Sequence, residues 1–211
     1  TGGNYEEAVR FVLETMLQSP RFIYRMENQR GGTESWPVDA YELASRMSYI
    51  VWGGPPDAEL MRAAESGELY DQAKVESQLQ RMFSDPRAVS QSLRFATEWL
   101  DLDRLDNLQP NKAKFPGWNP KLASAMREET LAYFEEIIWK QKAPLLSLLN
   151  TPVTFANPDL AKHYGLKPVG NGLTRYESPP GRGGLLTHGS VLTIGGDEAS
   201  MVCLLYTSPS P

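Results

Sequence analysis

Histidine is the side chain whose ordinary pKa lies closest to neutral pH, so the two histidines of this chain are the natural start for acid–base chemistry. His188 stands among Gly183, Gly184, Thr187, Gly189 and Ser190, small residues that let a ligand or another backbone approach closely. Arg182 precedes it, and Asp197 and Glu198 follow. A ring flanked by one cation and two carboxylates could belong to an active site completed by parts of a larger protein. It could equally be a structural histidine at a domain junction, which is the preferred reading because no complete catalytic set accompanies it.

His163 falls in the last turn of an expected helix, where a donor to free carbonyl groups is favoured, and is read as a C-terminal histidine packed beside Tyr164. Glu128, Glu129, Glu135 and Glu136 on one long helix invite a di-iron reading. The Glu-x-x-His element used by such bundles is missing at both histidines, so these acids are read as solvated surface. Glu136 and Lys140 are read as an exposed ion pair contributing about 0.3 kcal/mol. Trp36, Trp52, Trp99, Trp118 and Trp139 could form a sugar platform. Three of them fall within apolar helix patterns and are read as core, leaving Trp118 as the expected exposed one.

Absent motifs narrow the chemistry further. The sequence has no Gly-x-Gly-x-x-Gly, no phosphate-binding loop ending Gly-Lys-Ser/Thr, no His-Glu-x-x-His and no Gly-x-Ser-x-Gly. Its single cysteine, Cys203, excludes an internal disulfide, a Cys-rich zinc site and a Cys-x-x-Cys-His haem attachment within these residues. No cofactor or metal is expected to bind here. The net charge of −5 is modest and the basic residues are scattered, so a nucleic-acid footprint is not expected; no apolar run is long enough to span a bilayer.

The elements that must position these residues are mostly helices. Asn4 and Glu7 open a first helix that Ser19-Pro20 stops. Asp39 and Glu42 cap a second, with Leu43, Ala44, Met47 and Val51 on one face, ended by Gly53-Gly54-Pro55-Pro56. Asp57 caps a third that closes at Ser66-Gly67, and Asp71 a fourth with Val75, Leu79, Met82 and Phe83 as its buried stripe. From Arg87 a helix carries two apolar lines, one through Val89, Leu93, Ala96 and Leu100 and one through Phe95, Trp99 and Leu102, as a central helix would. Asn119-Pro120 launches the longest helix, whose inner face is Leu122, Met126, Tyr133, Phe134, Ile137 and Ile138. Short helical pieces over Pro144–Leu149 and Asn157–Tyr164 follow, then a Gly/Pro-punctuated region with a short strand at Leu173–Glu177. Leu185–Thr193 is ambiguous between buried helix and strand. The fold expected is mainly α, about six helices with a short irregular or β C-terminal piece.

Ordered segments carry a family resemblance. YELASRMSYIVWGGPPDAEL, QLQRMFSDPRA, FATEWLDLDRL, MREETLAYFEEII and TFANPDLAKHYGL resemble the domain of unknown function numbered fifteen-ninety-two, and GRGGLLTHGSVLT resembles the opening of the one numbered fifteen-eighty-eight. The two adjoin in large exported bacterial proteins, best known from planctomycetes, that carry c-type cytochrome domains elsewhere. SPRFIYRME resembles the end of a small helical domain preceding them. The resemblance implies an organisation of 1–30, 36–168 and 180–202, a periplasmic or extracellular location, haem c elsewhere in a longer chain, and the neighbouring domains or a polysaccharide as partners. It supplies no catalytic residues. Many relatives have a Thr/Ser/Pro/Arg-rich sequence where this chain reads Thr193 to Ser200. The stretch 203–211, CLLYTSPSP, resembles in one reading frame the translation of a sequencing-library adapter, with a Ser/Pro tail as the alternative. With the second domain cut short, Arg182–Val202 is expected to be poorly anchored.

Overall fold

The structure is a computed structural model and describes residues 4–24, 38–113, 115–178 and 182–196. Trp36, Asp197, Glu198 and the stretch 197–211 therefore lie outside the described residues. Ten α-helices occur among the described residues, six of them of seven residues or more, with one two-stranded sheet. The fold is mainly α, as the periodicity implied. The chain divides into two compact units, with the boundary after Ala88.

The first unit contains α1 (Tyr5–Leu17), α2 (Pro20–Ile23), α3 (Ala40–Trp52), α4 (Ala58–Glu65) and α5 (Gln72–Phe83). The capping box of α3 forms as its sequence requires. The Glu42 amide donates to Asp39 Oδ1 at 2.8 Å, and the Asp39 amide donates to Glu42 Oε2 at 3.1 Å. Asp57 caps α4 and also receives a bidentate bond from Arg81 of α5, at 2.7 and 3.1 Å. The Arg81 guanidinium holds the Asp57 carboxyl below the usual carboxylate range. Trp52 is buried and donates from Nε1 to the Met82 carbonyl at 3.0 Å, while the Arg87 guanidinium lies 3.7 Å over its ring. On α5, Met82 is buried but Phe83 is exposed, so the expected stripe is narrower, with Gln78 completing it. No residue of α1 is buried.

The second unit is arranged on α8 (Pro120–Glu135), launched by Asn119, whose side chain accepts from the Leu122 amide at 3.1 Å. A π-helical turn over Glu136–Lys140 continues it, bringing Lys140 to 3.3 Å from Glu135 and 4.0 Å from Glu136. Leu122, Ala123, Ala125 and Met126 pack with Leu105 of α7 (Arg104–Asn107) and with Leu160 and Ala161 of α9 (Pro158–His163). Tyr133, Phe134 and Ile137 pack with Ala96 of α6 (Pro86–Trp99), Leu148, Val153 and Leu185. Strand β1 (Val153–Ala156) pairs antiparallel with β2 (Thr174–Glu177), Val153 opposite Glu177 and Ala156 opposite Thr174. A 3-10 turn (Leu185–Thr187) and α10 (Gly189–Ile194) end the described chain.

Several expectations are corrected here. Phe95 and Trp99 of α6 stack on one another at 6.0 Å and stay exposed, so α6 is not apolar-buried on two faces. Trp118 is half-buried against the α8–α9 cluster, so it is not the exposed tryptophan expected. Leu185–Ile194 resolves as helical, with Leu185, His188, Gly189, Ser190 and Thr193 buried, so this part of Arg182–Val202 is packed; residues 197–202 of that stretch lie outside the described residues.

Candidate functional site

Glu129 is fully buried at the centre of α8. It is three residues beyond Met126 and four before Tyr133, so it lies on the same inward row as Leu122, Met126 and Ile137. The surface reading of this acid is therefore wrong, while its neighbour Glu128 is exposed as expected. A buried carboxylate must be hydrogen-bonded to persist, and both its oxygens are. The Thr154 hydroxyl, presented by β1, donates to Oε1. Tyr164, the residue that ends α9, donates from Oη to Oε2 at 2.5 Å.

The chain from Arg182 onward closes over this pair. The Gly189 amide donates to Tyr164 Oη at 2.9 Å, so the phenol links the carboxylate of α8 to the first turn of α10. A Cβ at position 189 would stand 2.6 Å from that oxygen and 3.0 Å from Met126 Cε, so only glycine permits the approach. Thr130, also fully buried, meets Ser190 Oγ at 2.6 Å and His188 Nδ1 at 3.2 Å. The His188 ring stands edge-on to Tyr133, centroids 4.7 Å apart. The Arg182 guanidinium lies 3.7 Å over the Tyr164 ring and donates to the Thr187 carbonyl at 3.0 Å. Gly184, at φ 75°, donates its amide to the Thr151 carbonyl at 3.0 Å.

Electrostatics follow from the burial. Desolvation, reinforced by Glu129, holds the Tyr164 phenol well above its ordinary range, so it remains a donor. Burial pushes His188 below the ordinary histidine range; Arg182 acts in the same direction and Glu129 against it. His163, whose ring tilts against Tyr164 at 5.6 Å as expected, is likewise lowered by burial. Among the described residues, His188 Nε2 and Arg182 Nη1 are buried without a hydrogen-bond partner.

Arg182 and His188, paired by sequence reasoning, thus do share one cluster, but its centre is the overlooked Glu129 with Tyr164 and Thr154. No group of three or more His, Cys, Asp or Glu side chains placed to hold a metal occurs among the described residues. No helix among them is long and apolar enough to cross a membrane.

Residues 38–166, which supply α3 through α9 and hence Glu129, Thr154 and Tyr164, match the family described as PSD4, Protein of unknown function (DUF1592). The chain belongs to this family. No curated protein and no solved structure matches it. The family region ends just after Tyr164, so this member's buried carboxylate and its phenol are family-domain residues, whereas Arg182, His188 and Ser190 come from the segment beyond it.

Proposed function

We propose that this chain is a helical scaffold and interaction module within a larger, exported protein carrying c-type haem in other domains. Its buried polar cluster fastens the segment after the family domain to α8. One observation carries the scaffold reading: Glu129, Thr130 and Ser190 are fully buried, and their polar groups are engaged by Thr154, Tyr164, His188 and one another, within the protein itself. A carboxylate saturated in this way is a structural acceptor. Export and haem rest on the resemblance of the ordered segments. Exposed apolar residues on α1 and α2, among them Phe11, Leu17, Phe22 and Ile23, offer surface to neighbouring domains.

The alternative is a junction site of a haem-linked oxidoreductase acting on carbohydrate, favoured by the unpartnered His188 Nε2 and Arg182 Nη1. Two variants of the complete protein, Glu129→Gln and His188→Ala, separate the readings. On the scaffold reading, turnover of an identified substrate follows the folded fraction of each variant. A variant of unchanged thermal stability whose turnover falls about a hundredfold, the scale of a lost acid–base group, overturns it.

A further inference from the structure

Residues 185–194 are held on α8 in part through an imidazole, beside the Gly189–Tyr164 and Ser190–Thr130 contacts, and one nitrogen of that ring has no partner among the described residues. His188 is 1% exposed, with its ring edge-on to Tyr133. Nδ1 meets the Thr130 hydroxyl, which can donate or accept, and Nε2 has no partner among the described residues. A neutral ring protonated at Nδ1 suits this setting better than a charged one, because Nδ1 meets a hydroxyl and only an uncharged acceptor, Nε2, is left unpaired. An imidazolium presents two N–H donors and a net charge, and would leave one donor orphaned in a buried site. We propose that His188 is a proton-operated latch: when its imidazole takes up a proton, residues 185–194 are released from α8.

The surrounding charges are consistent with this. Facing the ring or its helix are Glu129 and Tyr133 of α8, Tyr164 at the end of α9, and Arg182 just ahead of the segment. α7 also packs on α10 and brings Arg104 and Asp106, the latter paired with Arg127 at 2.8 Å. Glu129 would favour an imidazolium, but its oxygens are taken by Thr154 and Tyr164, and the Arg182 cation opposes it. Burial dominates, so the docked form binds fewer protons than the released form. Docking is therefore at full strength above the ordinary histidine range, about pH 6.5, and weakens as pH falls below it. His163 is shifted the same way and serves as the control.

The test is backbone amide exchange on the full chain at about pH 7.5 and about pH 5, each corrected for the intrinsic exchange rate. Protection at Gly189, Leu192 and Thr193 is expected to fall about tenfold or more at the lower pH, the effect of one pH unit on one group, while α8 stays protected. His188→Gln, which cannot take up a proton, abolishes the response, and His163→Gln retains it. Constant protection at the two pH values, or a response that survives His188→Gln, overturns the latch. Should His188→Gln fail to dock at either pH, the wild-type ring resonances decide. A His188 ring that protonates while Gly189 stays protected refutes the proposal, and one that stays neutral until the segment is released supports it.

Discussion

Replacing Tyr164 by Phe removes one oxygen from the centre of the cluster and leaves the ring in place, so no cavity contribution obscures the result. That oxygen donates to Glu129 Oε2 at 2.5 Å and accepts from the Gly189 amide at 2.9 Å. A hydrogen bond to a charged group contributes about 1.5–3 kcal/mol and a neutral one about 0.5–1.5 kcal/mol, and both former partners remain buried. Tyr164→Phe should therefore destabilise the chain by about 2–4.5 kcal/mol. Urea unfolding followed by circular dichroism measures this as a lower midpoint at unchanged slope. The companion double-mutant cycle with Glu129→Leu, which cannot accept from the phenol, should return a coupling of about 1.5–3 kcal/mol between the two side chains. A loss below about 1 kcal/mol, or a coupling near zero, would refute the claim that the carboxylate depends on this phenol.

Two further perturbations test other contacts. Gly184→Ala places a Cβ 2.1 Å from the Leu149 carbonyl oxygen at a φ of 75°, so it combines a backbone clash with left-handed strain. It is expected to destabilise by about 2–4 kcal/mol, and a thermal midpoint equal to wild type would contradict it. Asp85 caps α6 and binds Arg87 at 2.7 Å, and that guanidinium draws its carboxyl down to about 2. Because the folded value is depressed, the pair's stabilisation is present above the ordinary carboxylate range and is lost as pH falls toward about 2. Arg87→Met should raise Asp85 toward the ordinary range in an NMR titration, the residue-87 amide still holding it somewhat below, whereas a wild-type Asp85 already titrating in the ordinary range would exclude the pair.

The helical frame was legible because its signals are local. Asp39 with Glu42, Asn119 with Pro120, and Gly53 after Trp52 each act within one turn, and each stands where the sequence placed it. The candidate site was only half legible. Its small residues pointed to close approach, and Gly189 and Gly184 do allow it, toward Tyr164 and Leu149 and not toward a ligand. Glu129 was missed because residue type was weighed above position. The row Leu122, Met126, Tyr133, Ile137 has an opening that residues 129 and 130 fill, and an acid in such a row signals buried partners. Thr154 and Tyr164 carry no comparable signal, since a four-residue strand and a single aromatic reach Glu129 only through tertiary packing. Phe95 and Trp99 erred in the opposite direction. An apolar side chain is not obliged to be buried, so a second apolar line on α6 does not establish a second buried face.

The most direct test of the fastening itself is native-state amide exchange across residues 182–196 at neutral pH. With the Gly189 amide bound to Tyr164 and the Leu192 amide to the His188 carbonyl, both should exchange as slowly as the amides of α8, and Tyr164→Phe should release them first. Exchange of Gly189 and Leu192 at the rates of an unstructured chain, beside a protected α8, would mean that the segment is not fastened and that the buried cluster serves another purpose.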